Sequence, residues 1–353
     1  MVLTVLNVAY PFAPVGLDAV GGAEQVLSAL DYALVQQGHR SIVIACEGSS
    51  SAGELVPVAV ESGRVDETAH ERAWAAYRAA ISEVVHDETL DLVHLHGIDF
   101  PAYLPEGVPT LATLHLPLDW YPTSIFHLQA DLRLHCVSEA QHATRPPGAQ
   151  LLPPIPNGVS PKLFATTCRK RGHAIVLSRI CPEKGIDIAL QACRLADTPL
   201  LIGGQVFPYA AHECYFEERV RPLLDERRRF LGPLGFDRKR RLLAAARCAL
   251  IPSLAAETSS LAAIEALACG TPVVALPNGA LPSIIEHGKT GFLVRDAREM
   301  AEAILATGDL DPEECRAVAA ERFSLETMTA RYFDVYGRIG RQNGEEGALE
   351  KTG

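Results

Sequence analysis

The chain has no excess of positive charge. Its 32 Lys and Arg are outnumbered by 43 Asp and Glu, a formal net charge of −11 over 353 residues. That excludes a global attraction to nucleic acid or to anionic headgroups, leaving only local basic patches. No two of the nine cysteines form a C-x-x-C pair. Scattered singly through runs such as "IACEG" and "LACGT", they read as reduced, mostly buried thiols rather than a disulfide framework or a cysteine-based metal site. The start, "MVLTVLNVAYPF", lacks a basic segment and a small-residue cleavage site, so it reads as a strand and not a signal peptide. No window reaches the ~18 consecutive apolar residues of a membrane span. A cytoplasmic protein, docking on a membrane at most peripherally, is the expectation. The G-x-G-x-x-G fingerprint is missing too, so a nicotinamide cofactor is not indicated.

What is present is an ordinary globular composition, 48% hydrophobic and 21% charged, in a chain too long for one core of common size. Short apolar runs alternate with helical patterns. Strands are expected at 2–9, 41–46, 91–97, 109–115 and 132–138, with helices at 23–37 and 67–86. A proline-rich stretch, "LLPPIPNGVSP" at 151–161, interrupts the pattern and reads as a hinge. The alternation then resumes, with strands at 173–180, 199–204, 228–234, 249–254, 271–276 and 290–294 and helices at 184–196, 236–248 and 257–269. Alternation of this kind predicts an α/β protein with two doubly wound parallel sheets. The predicted division is 1–152, 153–322, a C-terminal amphipathic helix over 323–339 crossing back to the first domain, and a disordered polar tail over 340–353.

In open parallel sheets, ligands collect at the carboxyl ends of strands. Three strand-end segments carry suitable chemistry. The turn at 13–27 ends in Gly21-Gly22 and opens a helix, which lets backbone N–H groups approach an anion; an ordinary glycine-rich turn explains it equally well. In "LSRICPEKG", Arg179 and Lys184 near one strand end suit a diphosphate clamp; the plainer alternative is a solvated pair between Lys184 and Glu183.

The third segment is "LAAETSSLAAIEALACGTPVVAL", 254–276, which sets Glu257 and Glu265 eight apart in an otherwise small and apolar run. Eight helical residues advance ~12 Å and rotate ~800°, so the two carboxylates would share a face without sharing a site. Carboxylates accept hydrogen bonds from sugar and ribose diols. A charge at a helix start accounts for Glu257 in the plain reading, and a buried ion pair to an Arg accounts for Glu265.

Together with "PNGV" at 156–159 and the N-terminal "GGAE", these motifs resemble the retaining glycosyltransferases of GT-B fold known as family 4, over nearly all of residues 1–338. The resemblance implies two Rossmann-like domains facing across a cleft. The first would bind the acceptor and the second a nucleoside-diphosphate sugar, a UDP-sugar being favoured. It implies that Arg179 and Lys184 hold the donor diphosphate, that Glu265 takes the ribose hydroxyls and Glu257 the sugar hydroxyls, and that the backbone at Ser259, Ser260 and Leu261 meets the distal phosphate. Gly21 and Gly22 would join the donor site, the segment 231–235 ending at Gly235 would line the base, and His115 would line the reacting sugar. His115, Arg179, Lys184 and Glu257 are then the catalytic set. No cofactor or metal is expected, the nucleotide sugar serving as co-substrate. Trp120, Tyr121 and Phe126, in the loop 116–128, are candidates to stack on a small-molecule, glycan or lipid-linked acceptor. No carboxylate stands out as a covalent nucleophile, so the expected chemistry is a front-face displacement with retention, aided by domain closure about the hinge. One departure is plain: many family members have Glu-Pro-Phe-Gly-Leu where this chain has Glu257-Thr258-Ser259-Ser260-Leu261. A UDP-sugar epimerase or hydrolase of the same fold, or an inactive nucleotide-sugar-binding protein, is the alternative.

Overall fold

The computed structural model describes residues 2–60, 63, 65–127, 131–166 and 168–350, with side chains described as far as Gly340. Of the acceptor loop expected at 116–128, Leu128 lies outside the described residues. The chain divides into two compact units. One comprises the residues up to Pro156 together with those from Thr327, the other Asn157–Glu326. The sequence reading placed these divisions after 152 and 322.

The first unit opens with β1 (Thr4–Val8), α1 (Gly22–Gln36), β2 (Arg40–Cys46), β3 (Glu54–Val58), α2 (Glu67–Asp87) and β4 (Leu92–Leu95). It continues with β5 (Thr110–Leu114), β6 (Leu132–Cys136) and the short α3 (Glu139–His142). The six strands form one parallel sheet in the order β3-β2-β1-β4-β5-β6. Strands β4 and β5 are buried along their whole length because helices cover both faces, which is why they read as unbroken apolar runs. α1 buries Val26, Leu27, Leu30 and Leu34, one helical stripe, and the chain leaves it through the left-handed Gly38 (φ +78°). The Asp66 carboxylate caps α2 by accepting from the Ala69 N–H, an interaction worth about 1 kcal/mol. Strand β3 has no counterpart in the sequence reading. "ELVPV" holds a glutamate and a proline, which weakens its strand signal, and a proline is tolerated there because β3 is an edge strand.

The second unit contains α4 (Pro161–Phe164), β7 (Ala174–Leu177), α5 (Ile186–Leu195), β8 (Leu200–Gly203), α6 (Ala210–Tyr215), β9 (Arg228–Phe230) and α7 (Phe236–Ala245). Then come β10 (Cys248–Ile251), α8 (Leu261–Ala268), β11 (Val273–Ala275), α9 (Leu281–Ile284), β12 (Gly291–Leu293), α10 (Ala297–Ala306) and α11 (Pro312–Arg322). Its sheet is again six-stranded and parallel, in the order β12-β11-β10-β7-β8-β9. Both units therefore repeat one doubly wound plan, with the strand order reversing between β1 and β4 in the first and between β7 and β10 in the second.

Two sequence expectations are corrected. The helix expected over 257–269 begins at Leu261, so Glu257 lies in the preceding loop and the two-turn spacing to Glu265 does not hold. The loop persists because Glu257 is tied to Gly279 in an isolated β-bridge, and the Glu257 carbonyl accepts from the Ala280 N–H at 2.7 Å. At the other end, α12 runs from Leu325 to Glu350, whereas a disordered tail was expected over 340–353; residues 351–353 of that tail lie outside the described residues. Arg, Gln, Glu, Ala and Leu dominate that segment and favour helix strongly enough to carry the backbone past its glycines. Among the described residues, no helix is long and apolar enough to cross a membrane.

Candidate functional site

The reversal of strand order in the second unit creates a crevice between the ends of β7 and β10, and the loops leaving both strands bring charged groups there. Arg179 follows β7 by two residues. The next turn, Pro182–Lys184, ends at Gly185 in the left-handed region (φ +59°). A Cβ at Gly185 would sit 2.3 Å from the Pro252 carbonyl oxygen, so only glycine lets this turn pack against the end of β10. The packing places Lys184 Nζ 2.5 Å from Glu257 Oε1. Ser253 Oγ donates to the same oxygen. Burial by itself would raise the Glu257 carboxyl. The charge of Lys184, the hydrogen bonds from Lys184 and Ser253, and the charge of Arg179 outweigh it and hold the group below its ordinary range. Lys184 thus pairs with Glu257 and not with Glu183, the partner its plain reading offered.

The loop carrying Glu257 is held from both sides. Asn278 Nδ2 donates to the Ser253 carbonyl at 2.7 Å. Gly279 is left-handed (φ +65°), and a Cβ there would lie 2.2 Å from the Glu257 carbonyl oxygen. The loop then enters α8 through Ser260, at φ +90° and ψ +72°. This is a left-handed conformation that costs a non-glycine residue about 1–2 kcal/mol. It falls at the position where the resemblance identified a departure from glycine. Ser260 is the N-cap and its carbonyl accepts from the Ala263 and Ile264 N–H groups, so the N–H groups of Leu261 and Ala262 are the ones left without a partner within the helix. Ser259, just before it, is buried.

Glu265 lies two helical residues beyond Ala263, is 4% exposed, and its Oε1 accepts from Lys239 Nζ of α7 at 2.5 Å. A buried ion pair is therefore present, with a lysine where the plain reading expected an arginine. Gly235, the N-cap of α7, is exposed and follows the edge strand β9 rather than the β7–β10 reversal.

In the first unit, four histidines gather at and below the ends of β4, β5 and β6. Their hydrogen bonds fix one proton order. The Cys136 carbonyl can only accept, so His135 Nδ1 donates to it (3.0 Å) and His135 Nε2 accepts from Thr113 (2.6 Å). The Thr113 hydroxyl, its proton used, accepts from His94 Nε2 (2.7 Å), and His94 Nδ1 accepts from the Tyr336 hydroxyl (2.7 Å). Two tyrosines of α12, Tyr332 and Tyr336, close this network and are fully buried. Burial pushes His135 down to about 4, the bond to the Cys136 carbonyl opposing it. Burial, then the charge of His135, pushes His115 down to about 3. Burial and the neighbouring imidazoles hold His94 and His96 well below their usual range. All four rings are neutral at physiological pH. His115 alone is half-buried, one residue past β5, with its Nε2 3.1 Å from His96 Nδ1.

Other expected positions fare differently. Gly21 is the N-cap of α1 and Gly22 its first residue, but a Cβ at Gly21 would lie 1.9 Å from Glu24 Oε2. The negative charge at this helix start comes from the chain's own buried Glu24. Of the three aromatics offered for an acceptor, Trp120 is 41% exposed, whereas Tyr121 and Phe126 belong to the hydrophobic core. The latter two are corrected to core residues, since the loop folds into two short turns that bury Leu118, Tyr121, Ile125 and Phe126 in the cluster formed by β4, β5 and Phe100. Two residues of the site escaped sequence reasoning. Ser253 could have been found as the polar residue leaving β10. Lys239 gives no signal, because only the register of α7 against α8 brings it to Glu265.

Residues 20–162 match the family model described as Glycosyltransferase Family 4, and residues 171–308 the one described as Glycosyl transferases group 1. D-inositol 3-phosphate glycosyltransferase of Mycobacterium sp. (strain KMS) is 34% identical over 170 residues, 46% of this chain and 38% of the relative. The chain thus matches well under half the length of that curated relative. Sucrose-phosphate synthase of Thermosynechococcus elongatus superposes with a TM-score of 0.78 at 20% identity, covering 95% of this chain and 99% of that one. HepE of Anabaena, solved in complex with UDP-glucose, superposes with a TM-score of 0.75 at 19% identity, covering 95% and 100%. These two likenesses establish the fold.

Proposed function

The chain belongs to the GT-B glycosyltransferases of family 4 type, and from that premise we propose that it transfers a hexosyl group from a nucleoside-diphosphate sugar to an acceptor hydroxyl, with retention and without a catalytic metal. The observation that carries the donor assignment is the convergence at the β7–β10 reversal. Arg179, Lys184, Glu257, Ser253 and the open N–H groups of α8 all meet at one crevice of the second unit.

The chemistry follows from charge. Departure of the nucleoside diphosphate develops negative charge on its distal phosphate, and positive charge on the sugar ring. Arg179, the two remaining N–H donors of Lys184 and the start of α8 are the groups we assign to that phosphate, Lys184 being held in place before reaction by Glu257. Glu257 stays ionised, so it accepts sugar hydroxyls and holds Lys184 in place. Glu265, anchored by Lys239, is the proposed ribose contact. We assign the departing phosphate as the base for the acceptor hydroxyl. His115 is proposed to contact the transferred sugar as a neutral imidazole, and Trp120 is the one acceptor-loop aromatic available for stacking. The UDP-glucose found in the HepE complex supports UDP as the base carrier, and the inositol phosphate relatives support a small polar acceptor.

Thermal stabilisation by UDP, GDP and ADP, followed by incubation with the matching sugar donors, tests this reading. A ligand at 100 times its Kd adds about 2.7 kcal/mol to stability. UDP should stabilise most, and a glycosylated acceptor with retained anomeric configuration should appear with free UDP. Stabilisation without turnover would indicate a sensor, and donor cleavage in the presence of acceptor without any glycosylated product would indicate the hydrolase alternative; either outcome overturns the proposal.

A further inference from the structure

The sequence offers no cysteine-based metal site because no second ligand lies within a few residues in a recognised spacing. The fold changes this. Cys181 and Glu183 sit on the turn after β7, and α6 brings His212 to them from 31 residues away, so that one ligand atom of each lies within 4.8 Å of the others. Among the described residues this is the one such group of three. Its donors are a thiol, a carboxylate and an imidazole, the set that suits a borderline divalent ion such as Zn²⁺.

Three features point to a built site. Cys181 is fully buried, so its sulfur is fixed by packing. The Glu183 backbone is pinned, its carbonyl accepting from the Leu254 N–H at 2.8 Å and the Ala255 N–H at 3.3 Å. The His212 ring packs edge-on against Tyr209 at 5.1 Å, and its Nδ1 is buried with no hydrogen-bond partner, a cost that coordination through this nitrogen would relieve. Ligand atoms around a tetrahedral Zn²⁺ are about 3.5 Å apart. The three donors therefore need to draw in by roughly 1 Å, within reach of small χ rotations of Glu183 and His212.

We propose that Cys181, Glu183 and His212 bind one Zn²⁺ ion, leaving its fourth position for water or an exogenous oxygen ligand. Binding breaks the Cys181 S–H bond, forms an S–Zn bond and releases that proton to solvent. The thiolate and carboxylate together carry two negative charges beside Arg179 and Lys184, and Lys184 is already paired with Glu257. The site lies on the turn that carries Arg179 and Lys184, so an ion there would stiffen the proposed donor clamp from outside the chemistry. The inference goes beyond the proposed transfer reaction and does not depend on it.

The test uses the full chain, reduced and stripped of metal, titrated with Co²⁺ and then Zn²⁺. The expected result is one Co²⁺ per chain, a thiolate-to-cobalt charge-transfer band, and its displacement by Zn²⁺. Cys181→Ser should abolish the band, with circular dichroism checking the fold. Since a buried substitution can unfold the protein, His212→Ala and Glu183→Gln, both at half-buried positions, provide the second reading, each weakening binding by roughly tenfold or more. Cys214→Ser, on the exposed thiol two residues from His212, should leave the band unchanged. The inference is overturned if wild type shows no thiolate band, if the band depends on Cys214, or if His212→Ala binds Co²⁺ as tightly as wild type.

Discussion

Lys184→Met separates the structural and chemical work of the β7–β10 crevice. In the wild type, the side chains of Lys184 and Glu257 are 24% and 10% exposed and meet at 2.5 Å. Removing one partner of a fully buried pair costs about 3–5 kcal/mol, because the other charge is left desolvated. Here Lys184 keeps a quarter of its surface in water and Ser253 still donates to Glu257, so about 2 kcal/mol is expected. Urea unfolding followed by circular dichroism measures it. The loss should carry a pH signature. Without Lys184, burial, the largest influence on the Glu257 carboxyl, is opposed only by Ser253 and Arg179, and the carboxyl is expected to rise above its ordinary value in the folded state. The destabilisation is then full above that raised value and shrinks as the pH falls and the carboxyl protonates. Glu257→Gln in the Lys184→Met background should recover about 1–2 kcal/mol, the coupling of a contacting pair. Turnover should not recover. If Lys184 stabilises the leaving diphosphate, donor consumption falls about 100- to 1,000-fold in both variants. Unchanged urea midpoint and unchanged donor consumption in Lys184→Met would refute the reasoning at both steps.

Four further outcomes are expected. His135 is held near 4 against an ordinary 6.5, so the unfolded chain binds the extra proton between those values and stability falls as pH drops; lowering the pH from 7 to 5 should remove about 2 kcal/mol through this ring, and a flat profile in chemical denaturation would contradict the neutral network. Ser260→Gly should raise stability by up to about 1 kcal/mol, left-handed strain relieved less the entropy glycine adds to the unfolded chain; a clear drop in melting temperature would count against the strain. Gly279→Ala should cost more than about 2 kcal/mol, since its Cβ must displace the Glu257 carbonyl, and a crystal structure should show the 257–260 loop moved. Glu265→Ala should weaken nucleotide binding in calorimetry, and full affinity would remove Glu265 from the site.

The sequence by itself determined the double repeat of strand–helix units, because apolar runs bounded by turns record burial on both faces of a parallel sheet. It also determined the charged positions past the strand ends, since Arg179, Lys184 and Glu257 lie two to seven residues beyond β7 or β10 wherever their loops turn. Only the tertiary structure decided their partners. Lys184 meets Glu257 across 73 positions, and Lys239 meets Glu265 across 26. Such pairings follow from strand order and helix register, which no local window contains. The same reason moved Tyr121 and Phe126 from a surface loop into the core and started α8 at Leu261, where the tie between Glu257 and Gly279 outweighs helix propensity. It also brought His212 beside Cys181 and Glu183, three residues whose spacing along the chain carries no motif.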